Sequence, residues 1–399
     1  MRTATLLKLR RQGLPKLLSA PPVSPSHAQR SALWTREPDT PEPKVEYGSM
    51  RTPRLRVLAT AAALLLGLTA CGGQSDDTGS KSTASAGSSA GADQFPVTIK
   101  HALGTTVIPA KPQRVATVNW ANDEVPLALG VVPVGMAKAN FGDDDDNGVL
   151  PWVEDRLKEL GAKTPVLFDE TDGIDFEAVA DTRPDVILAA YSGLTKQDYT
   201  TLSEIAPVVA YPDAAWATPW RDIIRTNSKA IGLSAEGDKL IGKLEGEIST
   251  TVAKYPQLKG KTAMFMTHVS SKDVSQVGYY TTHDTRTQFF TDLGMKIPAS
   301  VSEPSKSTEK FVLTKSAERI DDFDDVDIIT GYGDDKGELL KALKSDPLTS
   351  KLSAVKQGSI YLLPGSTPLA TAANPTPLSI PYVLDDYVAA LAKAADKVT

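Results

Sequence analysis

The sequence predicts an α/β protein of two lobes, each built on a parallel sheet, joined by a long interdomain helix, with a ligand cleft between them. Three observations carry this reading. Short apolar, β-branched runs alternate with helical segments over residues 114–211 and again over 262–363, and strands alternating with helices build parallel sheets. Between the two series, Leu240, Ile241, Leu244, Ile248 and Val252 make one apolar stripe at helical spacing, the mark of a stiff connector. A chain running over 71–399 also exceeds the ~250–300 residues at which single cores stop growing.

Residues 1–49 are rich in Pro, Arg and Ser and lack apolar periodicity. They read as a doubtful extension, with translation expected to start at Met50; a disordered cytoplasmic arm is the alternative, supported by basic charge alone. Arg51, Arg54 and Arg56 then precede the run VLATAAALLLGLTA, so 50–70 has the basic, apolar and small-residue regions of an export signal. At ~1.5 Å per helical residue the run spans ~21 Å, short of the ~30 Å hydrocarbon core of a membrane. Cys71, the only cysteine, follows directly, so no disulfide is available. Residues 71–94 are Gly, Ser, Ala, Thr and Asp for most of their length and predict a flexible tether with a reach of roughly 25 Å.

Lobe one is expected over 95–218. An edge strand at 95–99 turns at Gly104 into 106–108, and 114–118 is a buried strand. A helix over 123–129 stops at Gly130, 131–135 is the next strand, and 151–160 is a helix ended by Gly161. Asp175 opens a helix leading to a strand at 185–190, and a short helix at 202–205 precedes a strand at 207–211. The connecting helical region spans 219–256, with Thr218 as N-cap and Pro219 at the first helical position. Lobe two covers 257–399, with strands at 262–266, 326–330 and 360–363, helices at 287–293 and 339–343, and a closing helix at 380–395.

The net charge of −6 argues against nucleic acid as a partner, and no run after the signal approaches membrane-spanning length. Four histidines, His27, His101, His268 and His283, are too few and too scattered for a metal-capturing site, which needs about three converging ligands. The one Gly-x-Ser-x-Gly string, Gly87 to Gly91, lies in the Gly/Ser tether with no strand before it to make a nucleophile elbow, and there is no phosphate-cradling loop or cysteine nucleophile, so an enzyme is not expected.

Four segments carry a family resemblance. They are Lys111-Pro-Gln-Arg-Val-Ala with Ala128-Leu-Gly-Val-Val-Pro-Val-Gly, Phe176-Glu177-Ala-Val-Ala-Asp-Thr-Arg-Pro184-Asp185-Val-Ile, Leu352-Ser-Ala-Val-Lys-Gln-Gly-Ser-Ile-Tyr, and Asn374-Pro-Thr-Pro-Leu-Ser-Ile-Pro-Tyr-Val-Leu-Asp-Asp-Tyr-Val. In order and spacing, over roughly 95–399, the chain resembles the helix-linked, class III substrate-binding lipoproteins of ABC importers for siderophores, haem and cobalamin. The last segment looks like the iron–siderophore branch, and Leu68-Thr-Ala-Cys71 resembles the bacterial lipobox.

The resemblance implies a monomeric lipoprotein, lipidated on Cys71 and anchored at the outer face of the cytoplasmic membrane. It would capture a ferric siderophore and deliver it to an ABC permease dimer. Haem and cobalamin remain alternative ligands, and a secreted α/β enzyme is a more distant one. The ferric chelate is cargo, and no cofactor is implied. Glu177 and Glu318 correspond to the two family glutamates that dock onto the permease; each also suits a helix N-terminus on electrostatic grounds alone.

Ligands of open α/β sheets gather at the C-terminal ends of strands, where Trp120, Tyr191, Trp216, Tyr279, Tyr280 and Tyr332 are expected. Aromatic faces suit a bulky chelate, though each of these residues equally suits a plug of its own core. Trp220 reads as helix packing. Arg286 is the candidate cation, placed to meet an anionic oxygen bidentately or simply exposed. A triply anionic catecholate complex calls for several cations, and no arginine cluster is present, which favours a hydroxamate-type chelate. Asp143, Asp145, Asn147 and Glu154 match a calcium-loop pattern, but a strand rather than a helix precedes it, so a solvated acidic loop is the preferred reading.

Overall fold

The computed structural model describes residues 93–399 apart from His268 and Asp335. The expectations for the extension at 1–49, the export signal, Cys71 and most of the tether lie outside these residues. The described chain opens on an antiparallel hairpin, β1 (Val97–His101) against β2 (Gly104–Ile108), with Val97 opposite Ile108. Strand alternation turns Val97, Ile99 and Ile108 inward, where they meet Val115, Leu188 and Ala230.

Then follow β3 (Val115–Thr117), α1 (Glu124–Ala128), β4 (Gly135–Ala137), α2 (Pro151–Glu159), β5 (Val166–Phe168), α3 (Phe176–Asp181), β6 (Val186–Leu188), α4 (Lys196–Ser203) and β7 (Val208–Val209). Strands β3 to β7 form a parallel sheet in the order β5-β4-β3-β6-β7. The order reverses between β3 and β6, and at such a switch point the loops part and open a crevice. That crevice is where the first half of the site forms.

Helices α5 (Trp220–Ala230) and α6 (Ser234–Val252) carry the chain to the second sheet. Its elements are β8 (Ala263–Met266), β9 (Gln276–Tyr280), α7 (Thr285–Asp292), α8 (Ala299–Ser305), β10 (Val312–Ser316), β11 (Ile328–Tyr332), α9 (Glu338–Ser345), α10 (Ser353–Gln357), β12 (Ile360–Leu363), α11 (Pro368–Ala372) and α12 (Ser379–Ala395). The strand order is β10-β9-β8-β11-β12.

The folding pattern is two α/β sheets of mostly parallel strands, with one departure from expectation. In the second sheet β9 runs antiparallel to both β8 and β10. The connection between β8 and β9 is too short for a crossover, which takes a dozen or more residues, so the chain must turn back. Strand β4 also begins at Gly135, not at Val131. Pro133 has no N–H to give a sheet interior, and pairing starts only where Val134 N donates to Val115 O at 2.8 Å. Helix α5 starts one residue later than expected, at Trp220, because the Thr218 hydroxyl donates to Ala190 O at 2.7 Å instead of capping the helix.

One apolar core runs through both sheets, joining Val125, Tyr191 and Trp220 to Phe265, Tyr332 and Tyr387. Helix α6 buries Ile241, Leu244 and Ile248 in it, and α12, packed beside α6, buries Ile380, Val383 and Leu384. Trp220 and Arg221 of α5 close on Asp292 of α7: the indole N–H donates at 2.9 Å and the guanidinium pairs bidentately at 2.9 and 3.0 Å. This bidentate geometry is the strong form of an arginine–carboxylate contact. No described helix is long and apolar enough to cross a membrane.

Candidate functional site

The loop after β3 is held in a strained backbone. Asn119 and Ala121 both hold φ near +60°, as does Trp216 in the segment before α5. A left-handed backbone at a residue other than Gly costs free energy and persists only where the surroundings enforce it. Here Asn119 supplies the enforcement. Its N–H and side-chain amide donate to Glu170 at 3.0 and 2.9 Å, and its amide oxygen accepts from Gly193 N at 3.1 Å. The loops after β3, β5 and β6 are thereby tied together, and Trp120 is presented between them, half-buried. Burial of the Glu170 carboxyl outweighs these two donors and pushes it up to about 7.

Asn122 makes a second tie. Its side chain bridges both backbone groups of Tyr191, accepting from N at 3.1 Å and donating to O at 2.8 Å. The Tyr191 ring meets Trp216 edge-on at 5.5 Å, and the indole lies so close to Gly193 that a Cβ there would come within 2.3 Å of it. A side chain at 193 would therefore displace Trp216. Glycine serves this site by allowing close approach.

The second sheet brings its own cluster. Asp284 caps α7, accepting from Arg286 N at 2.8 Å, and its other oxygen pairs with Arg286 Nη2 at 3.0 Å. The guanidinium lies 4.0 Å over the Tyr280 ring, a cation–π contact. Tyr280 meets Tyr332 at 6.4 Å, and both pack on Phe265. Burial holds all three tyrosine hydroxyls of the cluster above the usual phenol range.

Contacts between the two sheets close the arrangement. Phe141, beyond β4, meets Tyr332 perpendicularly at 6.0 Å. Asn374, between α11 and α12, donates to the Tyr191 hydroxyl at 3.4 Å and accepts from Thr285 at 2.8 Å. Glu124 of α1 is buried and accepts from Trp152 Nε1 at 2.8 Å, from Leu378 N at 2.9 Å and from the Thr376 hydroxyl. Tyr191, Tyr280 and Tyr332 are 2, 7 and 4% exposed, whereas Trp120 and Trp216 stay half-buried.

The predicted residues thus divide. Trp120, Tyr191, Trp216, Tyr280, Arg286 and Tyr332 lie in or beside one aromatic cluster at the strand ends. Tyr279 does not join it. It points from the opposite face of β9 into a separate core with Met264, Met266 and Phe323, whose ring it meets at 5.4 Å. Successive strand residues face opposite ways, so only one of Tyr279 and Tyr280 can reach the cluster. Arg286 is neither exposed nor an unbalanced cation, because Asp284 pairs with it.

Glu177 is exposed in the first turn of α3. Glu318 is exposed in the first turn of a 3-10 helix, Ala317–Phe323, where an ordinary helix start was expected. In the acidic loop, Asp143 accepts from Asp145 N and Gly148 N, and Asp145 from Asn147, so these oxygens serve the loop's own turns. Asp143, Asp144 and Asp145 can gather oxygens within 4.8 Å, while Glu154 lies outside that group and pairs with Lys158 at 3.3 Å. A groove of about 500 Å³ shares Trp152 and Leu378 with the Glu124 contacts and none of the cluster's aromatics.

Sequence reasoning missed Asn119, Phe141, Asp284 and Asn374. Only Asp284 carried a local signal, as an acidic residue just before a helix.

The chain matches the periplasmic binding protein family over residues 115–367. It is 31% identical over 277 residues to the probable siderophore-binding lipoprotein YfiY of Bacillus subtilis (strain 168), covering 66% of this chain and 79% of that one. Among solved structures it is similar to Streptococcus pneumoniae TIGR4 PiaA in complex with ferrichrome, with 46% identity, a TM-score of 0.72 and coverage of 76% of this chain and 99% of that one. It is also similar to a periplasmic solute binding protein from Mycobacterium smegmatis str. MC2 155, with 28% identity, a TM-score of 0.61 and coverage of 75% and 98%. With the matched residues carrying the strands of both five-stranded sheets, the chain belongs to the periplasmic binding protein family.

Proposed function

We propose that this protein captures a ferric siderophore of the hydroxamate type outside the cytoplasmic membrane and delivers it to an ABC importer. The observation that carries the reading is the aromatic cluster at the strand ends, with its single, charge-paired Arg286, in a chain 46% identical to the ferrichrome-bound PiaA. Aromatic faces give broad contact at low rotamer cost, and a paired guanidinium suits an uncharged hydroxamate complex better than a polyanion. Binding energy would then come from apolar area, at about 25 cal/mol per Å² less the costs of association.

In this reading the lobes part to admit the chelate, since the three clustered tyrosines are almost inaccessible in the structure. Lipidated Cys71 holds a monomer at the membrane through the residues that precede the hairpin, and Glu177 and Glu318, one on each lobe, dock onto the permease dimer. The chelate is cargo rather than a resident cofactor.

Tryptophan fluorescence titration against ferric hydroxamates, ferric catecholates, haem and cobalamin tests the proposal. Saturable quenching by a ferric hydroxamate is expected. Binding of haem or cobalamin alone would move the ligand class, and binding of none of the four would overturn the function.

A further inference from the structure

The Asp284–Arg286 pair has a consequence for selectivity. Asp284 is fully buried, and the Arg286 side chain is only 10% exposed. The residues packed around them are Tyr191, Tyr280 and Tyr332, neutral hydroxyls held above their usual range by burial, and the uncharged Thr285 and Asn374. Among the ties that hold the Trp120 loop, Glu170 is a buried carboxyl, and it adds negative rather than positive charge when ionised. The guanidinium therefore stands in the cluster with its charge already balanced. Its Nε–H has no hydrogen-bond partner among the described residues, so what the pair lacks there is an oxygen acceptor and not a counter-ion.

We propose that Asp284 is a specificity-determining residue: by neutralising Arg286 inside the cleft, it directs binding toward uncharged ferric chelates and against anionic ones. This rests on the function proposed above and deepens it. In a medium of reduced dielectric constant an unpaired guanidinium would attract a trianionic complex strongly, and the buried carboxylate cancels that attraction at its source. A neutral complex loses nothing, because it meets the pair as a dipole and can still accept from Arg286 Nε–H.

The test titrates wild type and Asp284→Asn with two probes, a neutral ferric trihydroxamate and a trianionic ferric tricatecholate, by tryptophan fluorescence. Asparagine keeps an oxygen for the helix cap and removes the charge. The ratio of the two affinities should shift toward the trianion by a factor on the order of a hundred at low salt. The shift should shrink in ~1 M salt, where the screening length is ~3 Å. Arg286→Gln should move the ratio the opposite way, and the double variant Asp284→Asn/Arg286→Gln, neutral again, should bring it back. The opposite-sign variant decides the matter if Asp284→Asn fails to fold by circular dichroism. Retained binding with a ratio within about threefold of wild type in the single variants would overturn the inference alone. A wild type that binds neither chelate would overturn the function with it.

Discussion

The carboxylate of Glu124 and the hydroxyl of Thr376, 252 residues apart in sequence, share a buried hydrogen bond that joins the first sheet's helix α1 to the segment before α12. Leu378 N and Trp152 Nε1 complete a set of three donors around one carboxyl. Burial first, and the Asp123 charge second, outweigh those donors and push Glu124 up to about 7 from an ordinary 4.5.

A raised folded-state value means that the folded chain holds a proton the unfolded chain has already lost. The contribution to stability is complete below about pH 4.5 and is lost as pH rises through about 7. Asp123, pushed by burial from 3.8 to about 6, acts in the same direction. Melting temperature should therefore fall between pH 5 and pH 8, and Glu124→Gln should make that fall shallower. Thermal melts of both proteins across this range check it; an unchanged slope would remove Glu124 from the account.

Tyr279 and Tyr280 are neighbours in sequence with opposite assignments. Tyr279→Ala opens a cavity beside Phe323 and should destabilise the fold by about 3–5 kcal/mol while leaving chelate affinity per folded molecule unchanged. Tyr280→Ala removes the ring beneath Arg286 and should weaken binding measurably. Urea unfolding and fluorescence titration of the two variants separate these effects. Equal losses of affinity in both would contradict the face assignment of β9.

Glu177 and Glu318 are exposed on the two lobes and take no part in the aromatic cluster. Replacing both with Ala should abolish uptake of the radiolabelled ferric chelate by whole cells and leave solution affinity near wild type. The docking role fails if uptake survives intact, or if affinity collapses in the purified double variant.

Cys71→Ala should release the protein from the membrane. A single acyl chain binds only marginally, so firm anchoring needs the multiply acylated cysteine of a lipoprotein. Fractionation of cells expressing each form gives the answer, and an equally firm association of the variant would count against lipidation.

Much of the fold was legible because its signals are local. The alternation of Val97, Ile99 and Ile108, the 3.6-residue stripe of Ile241, Leu244 and Ile248, and the strand–helix succession each follow from a period of the backbone, and each is seen in the structure. Elements without a clean period are not legible: β5, β9 and β10 lie outside the expected strands, and β4 begins four residues after the expected Val131, because Pro133 cannot pair.

The site was legible in kind and not in arrangement. By itself the sequence determined which aromatic residues and which arginine could stand near strand ends, with a core or exposed place open to each, since residue type and strand position are local properties. Only the tertiary structure decided that Tyr280 joins the aromatic cluster and Tyr279 a separate core, that Asp284 cancels the charge of Arg286, and that Glu124 finds its donors on Trp152 and in the segment before α12. The reason is physical. A strand shows which residues share a face but not which face its neighbours cover, and a buried charge is stable only with partners that folding brings from elsewhere in the chain.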